Sequence, residues 1–246
     1  MRQRIRKAML IISLLLFPIT IWYFSPYLII MAASEHVVNG SFIVFVSMFV
    51  LSMFFGRLWC GYFCPAGGIQ ECAAMINPNP SKHGWRDKIK FVIWGLWIIG
   101  IVVTFILGKN DLKIDPFFMT DHGISINEIY DYIIYYGVVI IILVPNIIHG
   151  KRSMCHYFCW MAPFMIIGGK LGRLLRLPQL HIEAEKDKCI SCGKCNKACP
   201  MGLDVRQLVA DDKCGKYAEC IQCGACIDEC PKDVLTYKML RKNMKR

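Results

Sequence analysis

Long apolar runs alternate with short polar connectors along the first two thirds of the chain. Four runs approach spanning length, at about 8–32, 38–56, 90–108 and 131–149, and the last three hold no Asp, Glu, Lys or Arg except Lys90 and Asp131 at their edges. A bilayer core needs about 20 apolar residues in a helix to cross it, with every backbone group satisfied inside the segment. The pattern therefore predicts four transmembrane helices. Pro18, Pro26 and Pro145 fall within these runs and predict kinks, because proline removes a helical hydrogen bond and crowds the preceding turn. Behind Arg2, Arg4, Arg6 and Lys7 the first run looks like a secretory signal, yet from Ala8 to about Ala32 it exceeds the roughly 7–15 apolar residues of a signal.

Composition agrees with a membrane class: 55% of the 246 residues are hydrophobic and the mean hydropathy is +0.41, too apolar for an ordinary soluble protein. The net charge of +11 reads as topology rather than as a nucleic-acid surface. The loop from Ser34 to Ser41 has no Lys or Arg, and the third connector sets Lys109 and Lys113 against Asp111, Asp115, Asp121 and Glu128, so both are expected to face outward. Arg57, Lys82, Arg86 and Lys88, then Lys151, Arg152, Lys170, Arg173 and Arg176, make the other connectors basic. Both ends are thus expected on the cytoplasmic side of the inner membrane. Trp22, Tyr23, Tyr27, Trp59, Trp85, Tyr130 and Tyr132 fit an aromatic belt at the interfaces. The basic stretch from Lys238 to Arg246 reads as a solvated or lipid-facing tail.

After Leu177-Pro178 the composition turns to Lys, Asp, Cys and Gly. This divides the chain into a membrane domain, residues 1–177, and a small α+β domain, residues 178–246. In the second, Cys189-x-x-Cys192-x-x-Cys195-x-x-x-Cys199-Pro200 and Cys220-x-x-Cys223-x-x-Cys226-x-x-x-Cys230-Pro231 each match the bacterial ferredoxin run, whose fourth cysteine ligates the other cluster. One [4Fe–4S] cluster would take Cys189, Cys192, Cys195 and Cys230; the other would take Cys220, Cys223, Cys226 and Cys199. Gly193 and Gly224 let the backbone wrap closely. Paired zinc knuckles account for neither the third and fourth cysteines nor the prolines. These runs resemble the two-cluster ferredoxin domain fused to many redox enzymes. Cys214 belongs to neither run and reads as a spare thiol.

The membrane part repeats itself. Arg57-Leu-Trp-Cys60-Gly-Tyr62-Phe63-Cys64 and Arg152-Ser-Met-Cys155-His-Tyr157-Phe158-Cys159 share R-x-x-C-x-Y-F-C at an offset of 95 residues. Each copy follows a pair of apolar runs, so the expected architecture is an α-helical bundle of two parallel repeats about an axis along the membrane normal. That axis would bring Cys60, Cys64, Cys155 and Cys159 to one face, where four thiolates could hold a third Fe–S or metal site. The competing reading is thiol chemistry within each pair, or inert thiols. Short apolar pieces at Ile69–Ile76 and Trp160–Ile167 could bury the site, and Arg57 and Arg152 could offset thiolate charge or simply obey the positive-inside rule. Cys72 stays unassigned.

Membrane helices, paired C-x-x-x-C motifs and a C-terminal two-cluster ferredoxin together resemble the NapH type of membrane ferredoxin, related to the membrane part of NosR-like proteins. The resemblance implies oxidation of a membrane quinol, with electrons passed to partner redox subunits. In that family the motif reads C-x-x-x-C-P; Cys64 is followed by Pro65, but Cys159 by Trp160. A quinol site needs a base, and His83, His149, His156, His36 and His122 are the candidates, His156 first because it lies inside the second motif. Two other roles fit the same motifs: maturation of a metal centre or disulfide, and a membrane anchor that relays electrons without a substrate site. No C-x-x-C-H, dinucleotide-binding glycine pattern or P-loop is present, so neither nicotinamide oxidation nor ATP use is expected of the chain alone.

Overall fold

The computed structural model describes residues 1–108, 111–214 and 217–240. Lys109 of the third connector and the tail beyond Leu240 lie outside the described residues. The first apolar run is not one helix. It is divided into α1 (Arg2–Leu15), α2 (Phe17–Thr20), a 3-10 turn and α3 (Pro26–Ser34), and the chain bends by 60° where α1 gives way to Phe17–Phe24. Pro18 and Pro26 sit in the first turns of α2 and α3, where a missing N–H costs nothing, and Ser25 before Pro26 is held extended (φ −80°, ψ 120°), which separates α3 from the turn before it.

Strand β1 (Val37–Asn39) leads into α4 (Gly40–Phe55), whose N-terminus is capped by Asn39 Oδ1 accepting from the Phe42 N–H at 2.9 Å. There follow α5 (Leu58–Tyr62), α6 (Pro65–Ala73), α7 (Ile89–Leu107), β2 (Lys113–Asp115), α8 (Ile129–His149), α9 (Ser153–Tyr157) and α10 (Ala162–Leu174). Strand β1 pairs in parallel with β2, Val37 opposite Lys113 and Asn39 opposite Asp115. Pro145 is contained within α8 without ending it.

Two described helices are long and apolar enough to cross a membrane: α7 with the turn leading into it (Trp85–Leu107), and α8. Taken as one bent span, Arg2–Leu15 with Phe17–Phe24 would make a third. The fourth expected span, α4, is apolar but only 16 residues long. Of the four expected spans the described helices thus supply two of sufficient length, or three if the bent pair crosses; proline breaks the first run, and the second gives up its first residues to β1 before Gly56 (φ 56°) ends it. Side chains such as Val92, Leu96, Ile99 and Ile106 on α7, and Ile133, Ile140 and Ile148 on α8, are exposed, as lipid-facing positions are in a protein considered without its bilayer.

Packing crosses between the two motif-bearing segments. Helix α10 lies along α4, where Gly168 and Gly172 sit against the backbone of Phe49 and Met53; α6 packs on α8 and on α1. The last part of the chain opens with β3 (Gln179–Ala184), runs through the short helices α11 (Lys194–Ala198), α12 (Val205–Ala210) and α13 (Ala225–Asp228), and closes with β4 (Leu235–Leu240). Strands β3 and β4 are antiparallel, Gln179 opposite Leu240 and Ala184 opposite Leu235. This unit is seated on the first motif and on the start of α1. Gln3 donates to the Cys223 carbonyl at 3.0 Å, Tyr62 donates to the same carbonyl at 3.3 Å, and Arg2 lies 3.5 Å from Asp228.

Candidate metal centre

The two R-x-x-C-x-Y-F-C copies fold alike. Each forms a five-residue helix, and each ends with the N–H groups of its Phe and second Cys converging on one carbonyl: Phe63 and Cys64 on Trp59 at 2.9 and 3.1 Å, Phe158 and Cys159 on Met154 at 3.1 and 3.0 Å. The backbone angles of Phe63 (φ −120°, ψ −13°) and Phe158 (φ −119°, ψ −10°) nearly coincide. Their surroundings are reciprocal as well. Gln70 on α6 donates to Cys155 Sγ at 3.1 Å, while Met165 on α10, 95 residues further along, places its sulfur 3.4 Å from Cys60 Sγ.

All four motif cysteines line one cavity of about 660 Å³, within the size range of small-molecule sites. Its walls are mainly apolar, with Phe17, Ile21, Val138, Ile142 and Trp160, and the lining continues to Asp121, Glu128 and Asp131 near the first turn of α8. The Trp160 indole N–H is buried and has no hydrogen-bond partner, so this lining carries an unused donor. Burial pushes the Cys60 thiol up against the opposing pull of Arg57; burial and neighbouring sulfurs push Cys64 up further and Cys159 to about 12. Such thiols ionise only where a cation meets them, and sulfur donors gathered in a dry site fit an iron–sulfur group. A lone tetrahedral ion with bonds near 2.3 Å would need sulfurs about 3.8 Å apart. Among the described residues no three cysteine sulfurs come within 4.8 Å of one another, which suits a larger inorganic core.

The motif arginines are interior, with side chains 2% exposed. Arg152 donates to the Cys60 carbonyl at 3.1 Å and pairs with Glu71 at 2.8 Å, lying 4.0 Å from Cys155 Sγ. Glu71 also holds buried Arg6 at 2.9 Å. Burial alone would raise the Glu71 carboxyl, but Arg152 and Arg6 overcome it and hold it at about 2. Arg57 pairs with Glu219 at 2.9 Å, and Lys90 meets the same carboxylate at 2.6 Å; against burial, these two cations hold Glu219 at about 2. Glu71 and Glu219, which sequence reasoning passed over, are thus the counterions of the duplicated arginines.

In the last part of the chain the cysteines separate into two sets. Cys199, Cys220, Cys223 and Cys226 line one small cavity, and Cys189, Cys192, Cys195 and Cys230 another. These are the sets that the ligand swap between the two runs predicts. Each run makes the same backbone turn, with Ser191 (φ 54°) and Gln222 (φ 52°) left-handed before the second cysteine and Gly193 (φ 73°) and Gly224 (φ 72°) left-handed after it. Such alternation forms a concavity of N–H groups that favours anionic centres. Cys214 joins the lining of the first set, and burial pushes its thiol to about 12; Cys72 is exposed on α6. The first set is mostly buried and abuts the membrane motif: Gly61 lies flat on Ile221–Cys223, where an added Cβ would stand 2.6 Å from the Ile221 carbonyl. The second set faces outward, with Cys192 exposed.

The histidine expectation fares differently. His156 is fully buried and does not line the large cavity; it faces His83, Asp87 and Glu219. Burial, with His83 beside it, holds its imidazole at about 3. His122 is 94% exposed in the connector between α7 and α8. Of the aromatics expected at the interfaces, Tyr27, Trp85 and Tyr130 are exposed, and Trp22 and Tyr27 line the cavity.

Comparison with known proteins agrees with these centres. Residues 40–83, which hold Cys60 and Cys64, match a family described as a 4Fe-4S binding domain, and residues 181–231 match a 4Fe-4S dicluster domain. The chain thus carries 4Fe-4S domains of the ferredoxin type and binds two [4Fe–4S] clusters. It is 21% identical over 69% of its length to the Escherichia coli K12 protein titled "Putative electron transport protein YccM", of which the match covers 48%. Two Methanocaldococcus jannaschii proteins, titled "Uncharacterized protein MJ0749" and "Uncharacterized protein MJ0750", are 22% and 23% identical over 67% and 69% of this chain, with 60% and 69% of their own lengths covered. The chain thus spans about half the length of the E. coli relative. No solved structure matches.

Proposed function

We propose that the protein passes electrons between a membrane quinol and partner redox subunits, as the NapH-type resemblance implies, from the inner membrane and with its ferredoxin unit (178–246) on the cytoplasmic side of the membrane unit (1–177). The observation that carries this reading is the apolar cavity of about 660 Å³ whose wall contains Cys60, Cys64, Cys155 and Cys159. A third iron–sulfur or metal centre on those four cysteines, and clusters on Cys199, Cys220, Cys223 and Cys226 and on Cys189, Cys192, Cys195 and Cys230, would supply one-electron carriers. The residues order them: Gly61 brings the motif against Cys223, and the outward set with exposed Cys192 is the face for a partner.

At the quinol, Phe17, Ile21, Val138 and Ile142 exclude water from the ring, and the free Trp160 N–H orients one oxygen toward the cysteines. Each quinol gives up two electrons and two protons. Asp121, Glu128 and Asp131 lie along the same lining and give the protons a polar route toward the outer loop. His156, outside this cavity, has no part in it. The reciprocal motif geometry supports an origin by duplication, with two parallel repeats sharing one centre.

Anaerobic reconstitution in lipid tests the reading. A menaquinol analogue should reduce the clusters, followed by EPR, and the protein should carry about twelve irons rather than the roughly eight of two clusters. Reduction by dithionite but by no quinol would point instead to an electron relay or a maturation role.

A further inference from the structure

A second metal-ligating cluster lies outside the cysteine sites. His83, Asp87 and His156 converge where the loop between α6 and α7, the second motif and the turn after Cys199-Pro200 meet; one ligand atom from each lies within 4.8 Å of the others. Both histidines point Nε2 at the same acceptor, the Met201 carbonyl, at 3.3 Å from His83 and 3.0 Å from His156. A carbonyl only accepts, so each Nε2 carries its hydrogen, and each Nδ1 is turned toward the carboxylates. His83 Nδ1 is 3.3 Å from Asp87 Oδ2, and His156 Nδ1 is 3.7 Å from Asp87 Oδ1 and 3.8 Å from Glu219 Oε2.

Buried His156 Nδ1 and Asp87 Oδ1 have no hydrogen-bond partner at all, although an orphaned buried polar atom costs about 1–3 kcal/mol. The nearby cations do not fill the gap: Lys90 and Arg57 Nη1 are engaged by Glu219, and the remaining Arg57 nitrogens donate to neither atom. A cation set among His156 Nδ1, Asp87 and His83 Nδ1 would supply the missing partner. Tetrahedral donors at about 2.0–2.1 Å from an ion stand roughly 3.3 Å apart, close to the spacings seen. Ligating histidines also donate their other N–H to a carbonyl or carboxylate, which fixes the ring, as Met201 does here for both.

We propose that His83, Asp87 and His156 bind one divalent transition-metal ion of the kind that favours imidazole and carboxylate, with Glu219 beside it, and that the ion pins the loop at residues 83–87 and the second motif to the ferredoxin turn at Met201. It is a site separate from the cysteine centres. Half-exposed His83 (28% side-chain exposure) provides the way in.

Zinc is the probe. Full-length protein with its clusters intact, equilibrated anaerobically with a slight excess of Zn²⁺ and then dialysed, should keep about one zinc per chain. X-ray absorption at the zinc edge should show nitrogen and oxygen neighbours near 2.0–2.1 Å. His83→Ala and Asp87→Asn should each weaken zinc binding at least tenfold, with iron content and cluster EPR unchanged. Both residues are partly exposed, so neither change empties a core. No retained zinc would mean that Nδ1 of His156 holds a proton instead and would overturn the site. A sulfur shell around the zinc, or equal retention by both variants, would overturn it too.

Discussion

Gln70 and Cys155 meet across 85 residues of chain, the side-chain amide donating to the sulfur at 3.1 Å. The second motif therefore receives its hydrogen bond from the helix that follows the first. At the equivalent place on the other side Met165 offers a thioether, 3.4 Å from Cys60 Sγ, with no N–H to give. The two halves of the site resemble each other in backbone and differ in electrostatics.

Hydrogen bonds to ligand sulfur stabilise the reduced, more negative state of a cluster and raise its potential. Gln70→Leu should lower the potential of a centre held by the four membrane cysteines and leave the two ferredoxin clusters where they are. An EPR-monitored redox titration of wild type and variant checks this; equal potentials would remove Gln70 from the centre's surroundings.

Cys60→Ala and Cys155→Ala should each lower the iron content from about twelve to about eight per chain, because one missing ligand in a buried set leaves the remaining thiols protonated. The signals of the ferredoxin clusters should persist. Iron and acid-labile sulfide assays on anaerobically prepared variants give the answer.

Trp160 holds a buried N–H with no protein partner in the cavity lining. Trp160→Phe keeps the apolar wall and removes the donor, worth about 0.5–1.5 kcal/mol, so KM for a quinol should rise about two- to tenfold with kcat nearly constant. Steady-state quinol oxidation with an artificial acceptor measures it. A fall in kcat with unchanged KM would assign the indole a different role.

Glu71 compensates Arg6 and Arg152, whose side chains are 3% and 2% exposed. Glu71→Gln should destabilise the protein at pH 7 by about 3 kcal/mol, since it leaves two buried cations without their counterion. The folded carboxyl, at about 2, lies below the ordinary value near 4.3. Its contribution is complete above about pH 5 and is lost as pH falls toward 2. Calorimetric curves of wild type and variant in one detergent should therefore begin to approach each other below about pH 5 and meet only near pH 2.

The cysteine framework was readable because ligand spacing is local: three thiols two residues apart reach one cube whatever the rest of the chain does. The 95-residue offset of the two membrane motifs suggested that they meet, and their four cysteines line one cavity. The first span was not, because hydropathy is blind to the helix-starting geometry that Pro18 and Pro26 impose. Arg57 and Arg152 obeyed the positive-inside rule in sequence yet are interior, since Glu219 and Glu71 come from segments 162 residues later and 81 residues earlier. His156 stood out by its place in a motif, but its neighbours His83 and Asp87 come from an unremarkable polar loop, and no periodicity marks a loop residue that meets its partner only in the fold.

The bond from Gln3 to the Cys223 carbonyl closes a loop of 220 residues. A contact so distant in sequence forms late. The opening turn of α1 must wait for the turn at Cys220–Cys226, and that turn takes its shape around an inorganic core that wraps its backbone. The docking of the first helix and the geometry of the cluster-binding turn therefore share one backbone carbonyl, that of Cys223. The first helix thus carries, in Arg2 and Gln3, side chains that read the shape of the cluster-binding turn directly.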